Sequence, residues 1–174
     1  KLKQGIKIVL ERPIDGRIIS CTISKTLTNK YYASFACEIN IEPKPVLDKV
    51  IGLDLGLKTM IVTSDGQKIT NPQYYRNNEK KIKYLNRRLS KKKKGSNNRN
   101  KARFRLAKAH EHITNKRIHN LHQETTKIVN ENQVIIVEDL NIEGMIKNHN
   151  LTKSISDVSW GELLRQLEYK SKWY

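Results

Sequence analysis

The chain has 174 residues, 34 Lys and Arg against 17 Asp and Glu, a formal charge of +17, and 37% hydrophobic residues. That length holds one ordinary domain, or one domain with part of another, and no apolar run is long enough to span a bilayer or to form a secretory core. Cys21 and Cys37 lie in separate strand-like runs without metal or redox spacing, which fits packed thiols of a cytoplasmic protein.

Residues 1–45 read as β. Ile6–Leu10 and Arg17–Ser24 are strand candidates on either side of the turn signal Pro13-Ile14-Asp15-Gly16. Tyr31, Ala33, Phe35, Cys37, Ile39 and Ile41 then alternate strictly with polar or small neighbours, as a half-buried antiparallel strand requires. Three strands do not close a barrel, so the segment is expected to be the end of a β-domain. Tyr31 and Tyr32 could stack on bases, although strand tyrosines more often simply pack. Glu42-Pro43-Lys44-Pro45 is a linker, because both prolines lack the N–H that strand pairing needs.

A second domain, residues 46–174, opens with three strand candidates, Val50–Leu55, Thr59–Ser64 and Gln67–Thr70. Asp65-Gly66 is the hairpin signal between the last two. From about Glu79 the apolar spacing turns helical through Ile82, Leu85 and Leu89, and Gly95-Ser96-Asn97-Asn98 interrupts it. A longer helix is predicted from about Arg99 to Asn130, roughly 45–50 Å at ~1.5 Å per residue. Together these form a helical hairpin over about 76–131. Val134–Val137 returns as a buried strand after this crossover, which implies a parallel partner. Asn141–Lys153 reads as a loop, and Ser156 as the N-cap of a last helix through Trp160, Leu163, Leu164 and Leu167. The pattern is still running at Tyr174, and the chain begins at Lys1, so a piece of a longer protein is expected.

The charge is concentrated. Between Arg76 and Arg117 there are 17 Lys and Arg against only Glu79 and Glu111, so +15 of the +17 lies in the hairpin. A field confined to one segment is the footprint of a nucleic-acid surface. Its candidate contacts are Lys81, Arg87, Arg88 and Lys91, Lys92, Lys93, Lys94 on the first helix and its end. The second helix adds Arg99, Lys101, Arg103, Arg105, Lys108, Lys116 and Arg117. A merely solvated basic helix is the plainer alternative, although so few intervening acids leave it self-repelling.

Three antiparallel strands, a helical excursion and a parallel fourth strand make the opening of an RNase H-like α/β fold, in which the fourth strand lies beside the first. Asp54, in Gly52-Leu53-Asp54-Leu55-Gly56, and Glu138, at the end of Val134–Val137, would then project near one another. Two adjacent carboxylates repel unless they share a proton or a cation, and in a basic protein a pair of Mg²⁺ ions for phosphodiester cleavage fits that need. Taken alone, an Asp in Gly-x-Asp-x-Gly is more often a turn or hydrogen-bonding residue than a ligand, and Glu138-Asp139 could simply mark where a strand meets solvent. His110, His112, His119 and His122 lack a third ligand at a metalloprotease spacing and read as surface histidines.

Several stretches together resemble the TnpB (OrfB) proteins of bacterial insertion sequences, relatives of type V CRISPR effectors. They are Ile51–Gly56, the Arg87-Arg88-Leu89-Ser90 to Lys101-Ala102-Arg103 block, Val137-Glu138-Asp139-Leu140-Asn141, and Ser159-Trp160-Gly161 with Gln166–Lys170. The resemblance implies a wedge β-barrel end in residues 1–45 and a RuvC-type nuclease domain beyond. Asp54 and Glu138 would be the first two of its metal-binding catalytic acids. It further implies guide RNA and target DNA as partners, and RNA-guided DNA cleavage as the activity of the complete protein. In the family a third catalytic Asp and a zinc ribbon, with its Zn²⁺, follow this region; neither is in the chain, so residues 1–174 alone are expected not to cut DNA. A nuclease-deficient RNA-guided DNA binder, or a DNA transposase or resolvase on the same fold, are the alternatives.

Overall fold

The computed structural model describes residues 7–10, 13–40, 44–148 and 151–173. The chain divides into two compact units, Lys1–Glu42 and Pro43–Tyr174.

The first unit is an antiparallel ribbon of β1 (Arg17–Lys25) and β2 (Tyr31–Glu38). Gly16 turns the chain into β1 at φ +81°, where a Cβ would lie 2.2 Å from the Glu38 carbonyl oxygen. The predicted alternation is present in β2: Ala33, Phe35 and Cys37 are half-buried while Ser34, Ala36 and Glu38 are exposed. Tyr31 and Tyr32 are exposed, Tyr31 lying beneath the Lys25 ammonium. The expected strand Ile6–Leu10 is not formed over Lys7–Leu10; Ile6 and Ile41 fall outside the described residues.

The second unit is mixed α/β. Its four-stranded sheet runs in the order β5 (Lys68–Thr70), β4 (Thr59–Thr63), β3 (Val50–Leu55), β6 (Val134–Val137). β3, β4 and β5 are antiparallel neighbours, and β6 lies parallel to β3. Gly56 closes the β3–β4 turn, its N–H donating to the Met60 carbonyl, and a Cβ there would stand 2.6 Å from the Thr59 oxygen. The Asp65-Gly66 signal belongs to a four-residue loop, which Thr63 closes by donating its N–H to the Gln67 carbonyl.

α1 (Tyr74–Ser90) and α2 (Asn97–Glu131) form the hairpin. α1 starts five residues before its apolar pattern does, because its cap is remote. The Asp157 carboxylate accepts the N–H groups of Tyr75 and Arg76 at 2.8 and 3.1 Å, satisfying donors that no local side chain reaches. Ser96 caps α2 by accepting the Arg99 N–H.

Two expectations near the C-terminus are corrected. The Asn141–Lys153 loop contains the helix α3 (Ile142–Ile146), begun by the Asn141 side chain accepting the Gly144 N–H. Ser156 is not an N-cap: it lies inside α4 (Thr152–Val158), and the chain breaks at Ser159 (φ 60°, ψ 48°) before α5 (Trp160–Trp173). The Leu163 N–H donates back to the Ser159 carbonyl, so the break costs few hydrogen bonds.

The core covers one face of the sheet. Ile51, Leu53 and Leu55 of β3 and Met60 and Ile61 of β4 pack with Leu121, Ile128 and Val129 of α2 and with Ile155, Val158, Trp160, Leu163 and Leu167 of α4 and α5. The buried residues of α2 all lie from Ile113 onward. Its C-terminal half therefore belongs to the core and its N-terminal half extends with α1. Among the described residues no helix is long and apolar enough to cross a membrane.

Candidate functional site

β3 alternates across the sheet: Ile51, Leu53 and Leu55 point into the core, so Val50, Gly52 and Asp54 point to the opposite, open face. On β6 the exposed positions are Val134 and Ile136, followed by exposed Glu138. The parallel register pairs Val50 with Val134, Gly52 with Ile136 and Leu53 with Val137. The pairing ends there; Asp54 is the next residue of β3, and Glu138 is the first residue after β6. Partners in a parallel pair share a face, and adjacent strands lie ~4.8 Å apart, so the same register continued by one residue would bring both carboxylates to the open face.

Neither acid has a side-chain hydrogen bond or ion pair among the described residues, and Asp139 beside Glu138 is also exposed. Among those residues no group of three or more His, Cys, Asp or Glu is placed so that it could hold a metal ion. An accessible carboxylate pair of this kind suits a hard divalent cation. Mg²⁺ is held through one or two carboxylates and completes its shell with water and substrate phosphate oxygens.

The position on the open face also explains the site's neighbours. Gly52 has no side chain to crowd Asp54, and it exchanges hydrogen bonds with Ser64: its N–H donates to Ser64 Oγ at 3.0 Å, and its carbonyl accepts the Ser64 N–H at 2.9 Å. Val62 lies opposite Asp54 on β4, and Lys68 opposite Val62 on β5. The strip of the open face thus runs from a lysine, past an apolar residue, to the two acids.

The fourteen basic residues singled out on the hairpin do not behave alike. Lys81, Arg87, Arg88, Lys91, Lys93, Lys94, Lys101, Arg103, Arg105, Lys108 and Lys116 are exposed, and Lys92 is half-buried. Arg99 instead closes the α1–α2 connection, donating to the carbonyls of Leu89 and Lys92, both at 3.0 Å. Arg117 donates to the Ser156 carbonyl at 2.6 Å and so ties α2 to α4. No pattern in the sequence separates these two from the rest, because their acceptors are backbone carbonyls set by the tertiary fold. Arg88 lies over the Tyr84 ring and Lys108 over Phe104, at 5.6 and 4.8 Å, which fixes where those two charges stand.

A third feature had no signal beyond a helical lysine. Lys170, 5% exposed, donates from Nζ to the His122 carbonyl (3.0 Å) and the hydroxyls of Thr125 (2.8 Å) and Thr126 (2.7 Å). Gln166, fully buried, links Thr125 to Glu162, whose carboxylate also holds Arg165. The Arg165 hydrogen bonds bring the Glu162 pKa down to about 2. This network fastens α5 to the half of α2 that carries the core.

Residues 34–149 match the OrfB_IS605 family, described as "Probable transposase". Over its full length the chain is 39% identical to a Streptomyces pristinaespiralis protein named "Putative RNA-guided DNA endonuclease", covering 44% of that protein. It is 31% identical, over 93% of its length and 44% of the relative's, to InsQ of Escherichia coli K12, named in the same terms. A Mycobacterium tuberculosis protein so named is 25% identical over 73% of the chain and 30% of its own length. The chain thus spans less than half the length of these curated relatives. It belongs to the TnpB/OrfB family of insertion-sequence proteins.

Proposed function

We propose that the chain carries the first two catalytic carboxylates of an RNA-guided DNA endonuclease with an RNase H-like, RuvC-type catalytic domain. The observation that supports this reading is the parallel register of β3 against β6, which pairs Leu53 with Val137; continued by one residue it would bring Asp54 and Glu138 side by side on the open face of the sheet. The names of the relatives supply the RNA-guided and DNA-cleaving parts of the reading. The first unit, Lys1–Glu42, is read as the end of a wedge-type β-domain.

Asp54 and Glu138 would hold Mg²⁺ through their carboxylate oxygens. The bound ion supplies the chemistry of activating water and neutralising charge on the phosphodiester. The chain's own residues do the rest. The two strand ends hold the acids rigidly, since β3 is anchored by its buried Ile51, Leu53 and Leu55. The basic hairpin draws in the polyanion, guide RNA or its duplex with target DNA, by releasing counterions, so that affinity falls steeply with salt. Base pairing would read the sequence of the target while the protein grips the backbone.

Metal binding and cleavage test this separately. Asp54→Asn and Glu138→Gln should each leave the fold intact, because both side chains are exposed. Each should weaken Mg²⁺ binding in calorimetric titration and, in a protein of the relatives' length programmed with guide RNA, abolish DNA cleavage. Residues 1–174 alone, with two acids, should give no metal-dependent cleavage; robust cutting by this chain would refute the two-acid account. Cleavage that survives both substitutions would remove these acids from the mechanism. The family's description as transposases makes strand transfer the competing chemistry, and joined rather than hydrolysed DNA ends would select it.

A further inference from the structure

The open face of the sheet carries one charge that the two carboxylates leave unexplained. Asp54 on β3 stands opposite Val62 on β4, and Val62 stands opposite Lys68 on β5, so the three share a face in one row across the strands. At ~4.8 Å per strand, the Cα atoms of Asp54 and Lys68 are about 10 Å apart. Lys68 is exposed, and among the described residues it makes no hydrogen bond or ion pair. The plain use of such a residue is to guard the sheet: β5 is an outer strand, and a lysine there discourages pairing with another chain. Guarding asks only for a charge on β5. It does not ask for the register that puts Lys68 in the row of Asp54.

The rest of that face decides which way a polyanion can run over it. Along the strands it finds nothing to hold: β3 leads from Asp54 back through Gly52 to Val50, and β6 leads back through Ile136 to Val134, all uncharged. Across the strands it finds Lys68. A phosphate backbone drawn to Asp54 is therefore led over β4 to β5 and not down the length of β3. The 10 Å between the two residues is about three nucleotide steps at ~3.4 Å per step of one strand. The flexible four-carbon stem of a lysine lets its ammonium lean back over the apolar Val62 toward the nearer phosphates.

We propose that Lys68 contacts the DNA strand being cut: its ammonium holds a phosphate within about three nucleotides of the scissile bond, on one side of it only, and the strand crosses the sheet from β3 toward β5. The proposal rests on the reading of Asp54 and Glu138 as the metal-binding acids and adds the direction in which the substrate lies. A second point of attachment beside the acids restricts the rotation of the strand, which is how such a contact helps the reaction.

The test uses a protein of the relatives' length, programmed with guide RNA and cutting DNA in a single turnover. Lys68→Gln should lower the cleavage rate at saturating DNA by about tenfold, while DNA affinity read by fluorescence anisotropy changes by no more than about threefold, since base pairing and the hairpin supply most of the binding. Lys68→Arg should restore most of the rate. Lys172→Gln, which removes an equal and exposed charge from α5, should leave rate and affinity at the parent's values. The contact itself is read with substrates in which each of the nearest phosphates on either side of the cut is replaced in turn by a neutral methylphosphonate. The parent should slow for replacement on one side only, and Lys68→Gln should be indifferent to that same replacement. Added DNA should also shield Lys68, and not Lys172, from acylation of its amine, a readout that needs no cutting. Parent-like cleavage by Lys68→Gln, an unshielded Lys68, or a methylphosphonate penalty identical in the two proteins would overturn the proposal. A loss that Lys68→Arg does not restore, accompanied by aggregation or a lower melting temperature, would overturn it in favour of the guarding role. Cleavage that survives Asp54→Asn would remove the carboxylate reading and this proposal with it; an inactive Asp54→Asn beside an unaffected Lys68→Gln would remove Lys68 alone.

Discussion

Single side chains show where α2 and α5 depart from an ordinary apolar helix contact. Lys170 buries an ammonium whose hydrogen bonds, among the described residues, go to three neutral acceptors contributed by one turn of α2. Removing one partner of such a set leaves desolvated groups behind. Lys170→Ala should therefore lower unfolding stability by about 2–4 kcal/mol in urea titration. Lys170→Met, which keeps the packing of the stem and loses the charge, should recover a good part of that loss. If Met proves no better than Ala, packing is not what the stem contributes. Glu162, at the exposed end of the same network, gives a pH dependence. Its carboxyl is held near 2 chiefly by Arg165, against an ordinary value of 4.5. The folded state thus binds fewer protons than the unfolded one between these values. The contribution is complete above about pH 4.5 and disappears as pH falls through about 2. Glu162→Gln should melt at a lower temperature than the parent at pH 6 and show a shallower decline in acid; parallel melting curves from pH 6 to 2 would count against the Arg165 cause.

Elements show which parts of the chain announce themselves. β3, β4, β5 and β6 are legible because each pairs an apolar run with a turn signal, and because a helical crossover before β6 forces a parallel neighbour. Asp54 and Glu138 draw attention for a related reason: an acid inside or just after a short apolar strand is conspicuous. α1 begins earlier than its pattern because the group that completes its first turn, Asp157, is 81 and 82 residues away in sequence from the N–H groups it accepts. Ser159 ends α4 in a left-handed conformation, which glycine or asparagine would have advertised and serine does not. The sorting of hairpin cations into exposed charges and fold-holding Arg99 and Arg117 depends on how the two helices pair, which charge counting cannot supply. The remote cap gives its own prediction. Asp157→Ala should cost about 1–2 kcal/mol and raise amide exchange first at Tyr75 and Arg76. Uniform protection along α1 in that variant would mean that packing, rather than the carboxylate, sets where the helix begins.

For the molecule as a whole, the core is the decisive fact. Every residue of it, from Ile51 to Leu167, comes from the second unit. The first unit is a ribbon in which β1 is exposed throughout and Ile18, Ile19 and Ile23 are more than half accessible or at half. A two-stranded ribbon is marginal by itself in water. The sheet's register also begins inside that unit: Gln133 and Val134 donate their N–H groups to the Lys49 carbonyl, and Gln133 Oε1 accepts the Leu47 N–H. The anchor that sets β6 beside β3 therefore lies downstream of Glu42. Residues 43–174 expressed alone should fold cooperatively, with a melting temperature within a few degrees of the full chain and the same Mg²⁺ affinity, because everything that positions the acids is retained. A truncated protein that folds but loses the Mg²⁺ site would show that the ribbon takes part in it. One that fails to fold would show that the core requires a partner from the first 42 residues.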